Sequence, residues 1–95
     1  MKISDLKPGM RRVDLFGQIE SIEAPRDVQT KFGPAQVAKA TLVDNSGSVQ
    51  LVLWNENVSK VGAGQHVSVE NGYVDSYRGE LQLNVGRYGK LEVSA

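Results

Sequence analysis

The sequence predicts an all-β chain folded as a five-stranded, partly open Greek-key barrel, and three observations predict it. Apolar and polar residues alternate with the period of two that a strand imposes, in several separate segments. Turn-forming residues divide those segments at Lys7-Pro8-Gly9, Asn45-Ser46-Gly47 and Arg78-Gly79-Glu80. The alternation breaks once, after the third segment, over "NENVSKVGAGQ".

The elements follow in order. Ile3 and Leu6 form a short apolar lead-in to the Pro-Gly turn, after which the chain should be extended. In "RRVDLFGQIESIE", Val13, Leu15 and Ile19 alternate with polar positions around Gly17, the pattern of a strand that bends where no side chain obstructs it. "APRDVQTKFGPA" holds two prolines and a glycine and reads as a loop or an extended hairpin. In "QVAKATLVD", Ala38, Ala40 and Leu42 face inward and leave Lys39 and Thr41 outside. The Asn45 turn then leads into "SVQLVLWNEN", where Val49, Leu51 and Leu53 point inward and Gln50, Val52 and Trp54 share the opposite face.

"NENVSKVGAGQ" opens with good capping residues and closes on Gly62-Ala63-Gly64, which predicts a single helical turn or a structured loop. In "HVSVENGYVDSY", Val67 and Val69 fit one phase and Val74 the other. A bulge near Asn71-Gly72 would reconcile them and swing Tyr73 to the outer face. "LQLNV" returns with Leu81, Leu83 and Val85 inward and Gln82 and Asn84 outward, and "RYGKLEV" extends it or adds a final strand. This order of elements in 95 residues, read as one domain over 1–95, is that of the OB-fold.

Composition limits what such a barrel can do. A hydrophobic fraction of 40% with 23% charged residues is ordinary for a globular chain. Eleven basic and eleven acidic residues cancel, which argues against binding nucleic acid by bulk charge. The absence of cysteine excludes disulfides and thiolate metal sites, and the single His66 reads as an exposed strand-start residue; no metal or other cofactor is expected. No serine lies in a nucleophile-elbow pattern, and Glu20 and Glu23 read as solvated surface, so a non-catalytic module is expected. Gly62-x-Gly64 lacks the third glycine of a dinucleotide loop, and Asn57-Val58-Ser59 fits a glycosylation triplet without a secretion signal. No apolar run approaches membrane-spanning length, and the chain reads as cytoplasmic and nucleoid-associated, without a membrane partner.

Local arrangement is more informative than net charge. In an OB-fold the second and third strands and the loops joining strands one to two and four to five form the binding face. Trp54 ends the third strand, Tyr73 and Tyr77 lie on the fourth, and Lys31, Phe32 and Arg78 sit in the two loops. Neutrality conceals a stripe of aromatics bordered by cations. An unpaired base gains about 1 to 3 kcal/mol by stacking on such a ring, whichever base it is. Lys31, Lys39 and Arg78 would neutralise phosphates, and Gln82 and Asn84 could bond base edges.

The segments "LKPGM", "QTKFG", "VDNSGSVQLVLWNE", "GAGQHVSVENGY" and "YRGELQLNVGR" resemble, in order and spacing, the simple archaeal single-stranded DNA-binding proteins of the replication protein A-like type and the related human sensors of single-stranded DNA. The resemblance implies that Trp54, Tyr73 and Tyr77 stack on bases and that Arg26, Lys31 and Arg78 supply polar contacts. It also implies single-stranded DNA as the ligand, in replication, recombination or repair. Some relatives place a further stacking aromatic where this chain has Asn84, so at most a hydrogen bond is expected there. Phe32 stands where relatives are polar; it either reaches a base or packs its own hairpin, and packing is favoured. The resemblance also implies partners: the family often carries a flexible Gly-rich tail that recruits them, replication or repair proteins being the expected class, whereas the sequence given stops at Ser94-Ala95.

Other readings stand beside this one. Trp54 could cover a barrel end, Tyr73 could be a cross-strand packing residue, and Arg11, Arg12 and Lys7 read as a solvated edge near Asp5 and Asp14. The whole stripe could be a protein-interaction hot spot within a larger assembly. Single-stranded RNA is a further alternative, since stacking does not detect the 2′-hydroxyl.

Overall fold

A computed structural model describes residues 1–85 and 89–94. After a 3₁₀ turn at Ile3–Asp5 come β1 (Arg11–Ile22), β2 (Arg26–Thr30), β3 (Gly33–Asp44), β4 (Gly47–Trp54), α1 (Glu56–Lys60), β5 (His66–Tyr77), β6 (Glu80–Asn84) and β7 (Lys90–Ser94). The five expected strands are β1, β3, β4, β5 and β6. They pair in a ring, β1-β3-β4-β6-β5 and back to β1, closed by the parallel β4–β6 contact and the antiparallel β1–β5 contact. The two additional strands are the arm β2, hydrogen-bonded to the start of β3, and β7, hydrogen-bonded to the start of β5. The final segment therefore adds a strand; Arg87 and Tyr88 of "RYGKLEV" lie outside the described residues.

The ring closes because β1 serves two neighbours. Residues from Arg11 to Gln18 pair with β5 and those from Gln18 to Ile22 pair with β3, so the strand turns a corner at Gly17-Gln18. A Cβ at Gly17 would sit 2.8 Å from the Val43 carbonyl oxygen, closer than real Cβ atoms come. Glycine is required there by the approach of β3.

Inward phases follow the alternation. Val13, Leu15, Ile19, Ala38, Ala40, Leu42, Val49, Leu51, Leu53, Val67, Val69, Val74, Leu83 and Val85 are all buried in one apolar cluster, with Ile3 and Leu6 closing it. In β5 the buried positions run 67, 69 and then 72, 74, a one-residue slip at the bulge. Asn71 takes the left-handed conformation, φ 55°, and its N–H donates to the Asp14 carboxylate at 2.9 Å. The Asp14 carboxylate thus holds the bulge that turns Tyr73 outward.

The turns keep their expected chemistry. At Lys7-Pro8-Gly9-Met10 the Met10 N–H donates to the Lys7 carbonyl, with Gly9 at φ 88° as a type II turn demands. The β3–β4 turn is organised by Asp44, whose carboxylate accepts from the Ser46 hydroxyl and from the backbone N–H groups of Ile3, Ser46 and Gly47. These bonds hold its pKa well below the ordinary value, at about 2, the Ser46 hydroxyl contributing most. The helical turn after Trp54 is present, but Asn55 does not cap it with its side chain. Its side-chain oxygen instead accepts from the Gln36 N–H at 3.1 Å, while its own N–H donates to the Gln36 carbonyl at 2.8 Å. Asn55 therefore fastens the end of β4 to β3.

Candidate nucleic-acid interface

Side chains opposite one another in paired strands share a face, so the registers lay out the outer surface in rows. One row crosses four strands as Tyr73, Asn84, Val52 and Lys39. The next, along the strands, is Asp75, Gln82, Gln50 and Thr41. On the other side of the first row, Trp54 lies opposite Val37, and Val37 opposite Arg26. Tyr77, four residues beyond Tyr73 on the same face of β5, completes a diagonal of three aromatics over one continuous sheet surface. Trp54 is partly exposed, and Tyr73 and Tyr77 are exposed by 41% and 54%. None of the three belongs to the apolar cluster inside the barrel.

Cations accompany the rings. The Arg78 guanidinium carbon lies 5.2 Å from the Tyr77 ring centre, and the Lys39 Nζ 5.8 Å from the same point. Arg78 opens the two-residue β5–β6 turn with φ 52°, followed by Gly79 with φ 82°, the mirror-image turn suited to a hairpin. An arginine in the left-handed region is conformationally costly, which is the kind of local strain that marks functional positions. Arg26, at the start of β2, is exposed. Among the described residues the one ion pair joins Lys90 and Glu92 at 2.7 Å, so no carboxylate occupies Arg26, Lys31, Lys39 or Arg78.

Two expectations change. Asn84 is on the outer phase but only 5% exposed. It sits in register between Tyr73 and Val52, and its amide donates to the Gln82 carbonyl at 3.5 Å, the limit of a hydrogen bond. Flanked by a large ring and a branched side chain, it forms part of the floor of the sheet surface. Gln82, in the neighbouring row, keeps partial exposure. Phe32 does not pack its hairpin: it is 90% exposed at the two-residue tip between β2 and β3. The tip is tied by Thr30, whose hydroxyl donates to the Gly33 carbonyl and accepts from the Phe32 N–H, and the Lys31 Nζ rests 5.2 Å from the ring centre.

Residues that the sequence does not assign to the binding face also join this surface. Arg11, expected on a solvated edge, is exposed but lies directly opposite Tyr73 through the β1–β5 pairing. Beyond Trp54 the sheet surface drops into a cleft of about 790 Å³ whose lining includes Tyr73, Phe32, Lys31, Lys60 and Lys90. No local sequence signal could identify Lys60 or Lys90, because α1 and β7 reach the cleft only through the fold. His66 is exposed at the start of β5, as expected, and its ring stacks on Phe16 with centroids 5.8 Å apart.

Comparison with known proteins places this surface in context. The chain is 32% identical over 90 residues to the single-stranded DNA binding protein Ssb of Saccharolobus solfataricus, covering 95% of this chain and 61% of that one. It is 30% identical over 97 residues to replication factor A of Methanothermobacter thermautotrophicus, covering 96% of this chain and 12% of the relative. The chain thus spans less than two thirds of either relative. In structure it is similar to the replication factor A related protein of Methanobacterium thermoautotrophicum, with a TM-score of 0.83 at 22% identity, covering 99% of this chain and 89% of that one. Residues 6–93, nearly the whole barrel and all three outward aromatics, match the family described as single-stranded DNA binding protein Ssb-like, OB fold, and the chain belongs to that family.

Proposed function

We propose that this chain binds single-stranded DNA with little regard to sequence, stacking successive bases on Trp54, Tyr73 and Tyr77 while Arg26, Lys31, Lys39 and Arg78 meet the phosphates. The observation that carries this reading is the aromatic diagonal across β4 and β5, which share the barrel surface through β6, with bordering cations that form no ion pair among the described residues. Rings of this kind left outside a filled barrel are suited to a ligand that brings its own flat apolar faces and its own negative charge. Gln82 supplies polar reach to a base edge, and Asn84 holds the floor level. The relatives are named for single-stranded DNA binding and for replication, which supports a part in DNA replication or repair in the same cell compartment as the DNA. The family is one of DNA-binding OB-fold proteins, and the module works by holding its strand without catalysis. No helix among the described residues is long and apolar enough to cross a membrane.

The test is a titration of the protein with poly-dT, poly-rU and duplex DNA, read by Trp54 emission. Strong quenching by single strand and weak quenching by duplex is expected. Emission unchanged under saturating poly-dT would take Trp54 off the platform and favour a protein-interaction surface; equal response to poly-rU would extend the ligand to RNA.

A further inference from the structure

A carboxylate close to a surface proposed to take a polyanion opposes binding unless it has another task. Asp14 is such a group, exposed on β1 three residues from Arg11, which lies opposite Tyr73. It does not neutralise its arginine neighbours: among the described residues neither Arg11 nor Arg12 forms an ion pair. Its bond goes to backbone on the facing strand, the Asn71 N–H at 2.9 Å. That bond sits at a double irregularity. Between the pairings of Arg11 with Tyr73 and Val13 with Gly72, β1 carries one extra residue, Arg12; between Val13 with Gly72 and Leu15 with Val69, Glu70 and Asn71 of β5 stand against Asp14 alone. The two bulges cancel, and each holds a residue in the left-handed region, Arg12 at φ 56° and Asn71 at φ 55°. A straight ladder of the same length would pair Val13 with Asn71 and turn Arg11 and Tyr73 toward the barrel. Burial of Val74 selects the bulged form. Tyr73 is secured on one side by Val74, whose N–H donates to the Met10 carbonyl and whose carbonyl accepts from the Gly9 N–H, both at 2.8 Å. On the other side, two residues before Tyr73, the Asp14 carboxylate reaches across the seam to Asn71.

We infer that Asp14 is a positioning residue for base stacking: by fixing the Asn71 bulge from the facing strand it sets the height and tilt of the Tyr73 ring, without touching the nucleic acid. This rests on the single-stranded DNA reading above and deepens it. A binding group has to be held to within about 0.5 Å of its productive place, so slack two residues from Tyr73 is felt as affinity. The sign of the effect separates this role from electrostatics. Removing a carboxylate from the neighbourhood of bound phosphates tightens binding by charge alone, whereas removing the support of Tyr73 loosens it.

The experiment measures the affinities of the full chain, Asp14→Asn and Asp14→Ala for oligo-dT at one salt concentration, well below the lowest melting temperature of the set. Asp14→Asn keeps an acceptor oxygen in the same place and drops the charge, and should bind at least as tightly as the parent. Asp14→Ala drops both and should bind about 3-fold or more weakly, a part of the roughly 5- to 150-fold that loss of one stacked base costs. In a Tyr73→Ala background the penalty of Asp14→Ala should vanish, and in a Trp54→Ala background it should persist in full. Should Asp14→Ala not fold, Asp14→Glu, which keeps the charge and displaces the acceptor by one methylene, takes its place with the same expectations in both backgrounds. Asp14→Ala binding as tightly as the parent would overturn the positioning role, as would Asp14→Asn binding as weakly as Asp14→Ala. So would equal penalties in the Tyr73→Ala and Trp54→Ala backgrounds, because a merely structural residue loosens the whole barrel. A parent chain that binds no oligo-dT would instead overturn the single-strand reading itself.

Discussion

The Arg78 guanidinium rests over the ring of its sequence neighbour Tyr77, 5.2 Å from centre to centre, with Lys39 of the distant β3 at 5.8 Å from the same ring. Stacking and charge are therefore coupled at this end of the platform. On the proposed reading, a base stacking at Tyr77 would meet a ring already flanked by two cations, with its phosphate beside them. Tyr77→Ala and Arg78→Ala should each weaken single-strand binding, and the double variant should weaken it by less than the sum, measured as a double-mutant cycle in binding free energy. Strict additivity would mean that the two side chains act separately.

Arg78 also separates binding from stability. Asn tolerates the left-handed conformation that Arg78 occupies at φ 52°, so Arg78→Asn should stabilise the fold by about 0.5 kcal/mol, or about 3 °C in Tm. Its affinity for single strand should fall for all sequences alike, and its salt slope should flatten by up to about 0.7. A lower Tm would show that the arginine stabilises the turn.

Under the proposed reading Trp54 contributes stacking without charge. Trp54→Ala should cost about 1 to 3 kcal/mol of binding, roughly 5- to 150-fold, with the salt slope left near the parent value. With a few cations beside the diagonal, the parent slope of log affinity against log salt should be about −1.5 to −3. A parent slope steeper than about −5 would put the affinity in charge instead of stacking.

Gly17 is where β1 passes from β5 to β3. Gly17→Ala forces a methyl against the Val43 carbonyl, backbone that can move only if the corner opens, and a cost of about 1 to 3 kcal/mol is expected. Thermal melting should show a drop of about 4 to 8 °C for each kcal/mol in a chain of this size. An unchanged Tm would show that the corner relaxes freely.

Asp44 sets an acid limit on the fold. Its folded pKa, about 2, lies below its ordinary value of 3.8, so it adds stability above the ordinary value that is lost as pH falls toward the folded one. Urea midpoints should decline between about pH 4 and about pH 2 in the parent, with a shallower decline in Asp44→Asn, which should already be weaker near neutrality. Identical acid limbs in the two proteins would take Asp44 out of the linkage.

The inward residues, the turns at Pro8-Gly9 and Arg78-Gly79, the bulge at Asn71-Gly72 and the outward phase of Trp54, Tyr73 and Tyr77 were all legible in the amino-acid sequence. Each depends on interactions within a few residues: a side-chain period of two, or a backbone angle that only certain residues accept. What surrounds those aromatics was decided by pairing between distant segments. The parallel contact of β4 with β6 sets Asn84 beside Val52 and Tyr73 and buries an amide that alternation alone puts in solvent. The β1–β5 contact brings Arg11 to Tyr73 across more than half the chain. The cleft beyond Trp54 exists only because the hairpin arm, α1 and the β7 region converge there. Alternation specifies which face a residue takes, since that choice is local. Its neighbours on that face are set by the register in which the barrel closes, and closure is a property of all the strands at once.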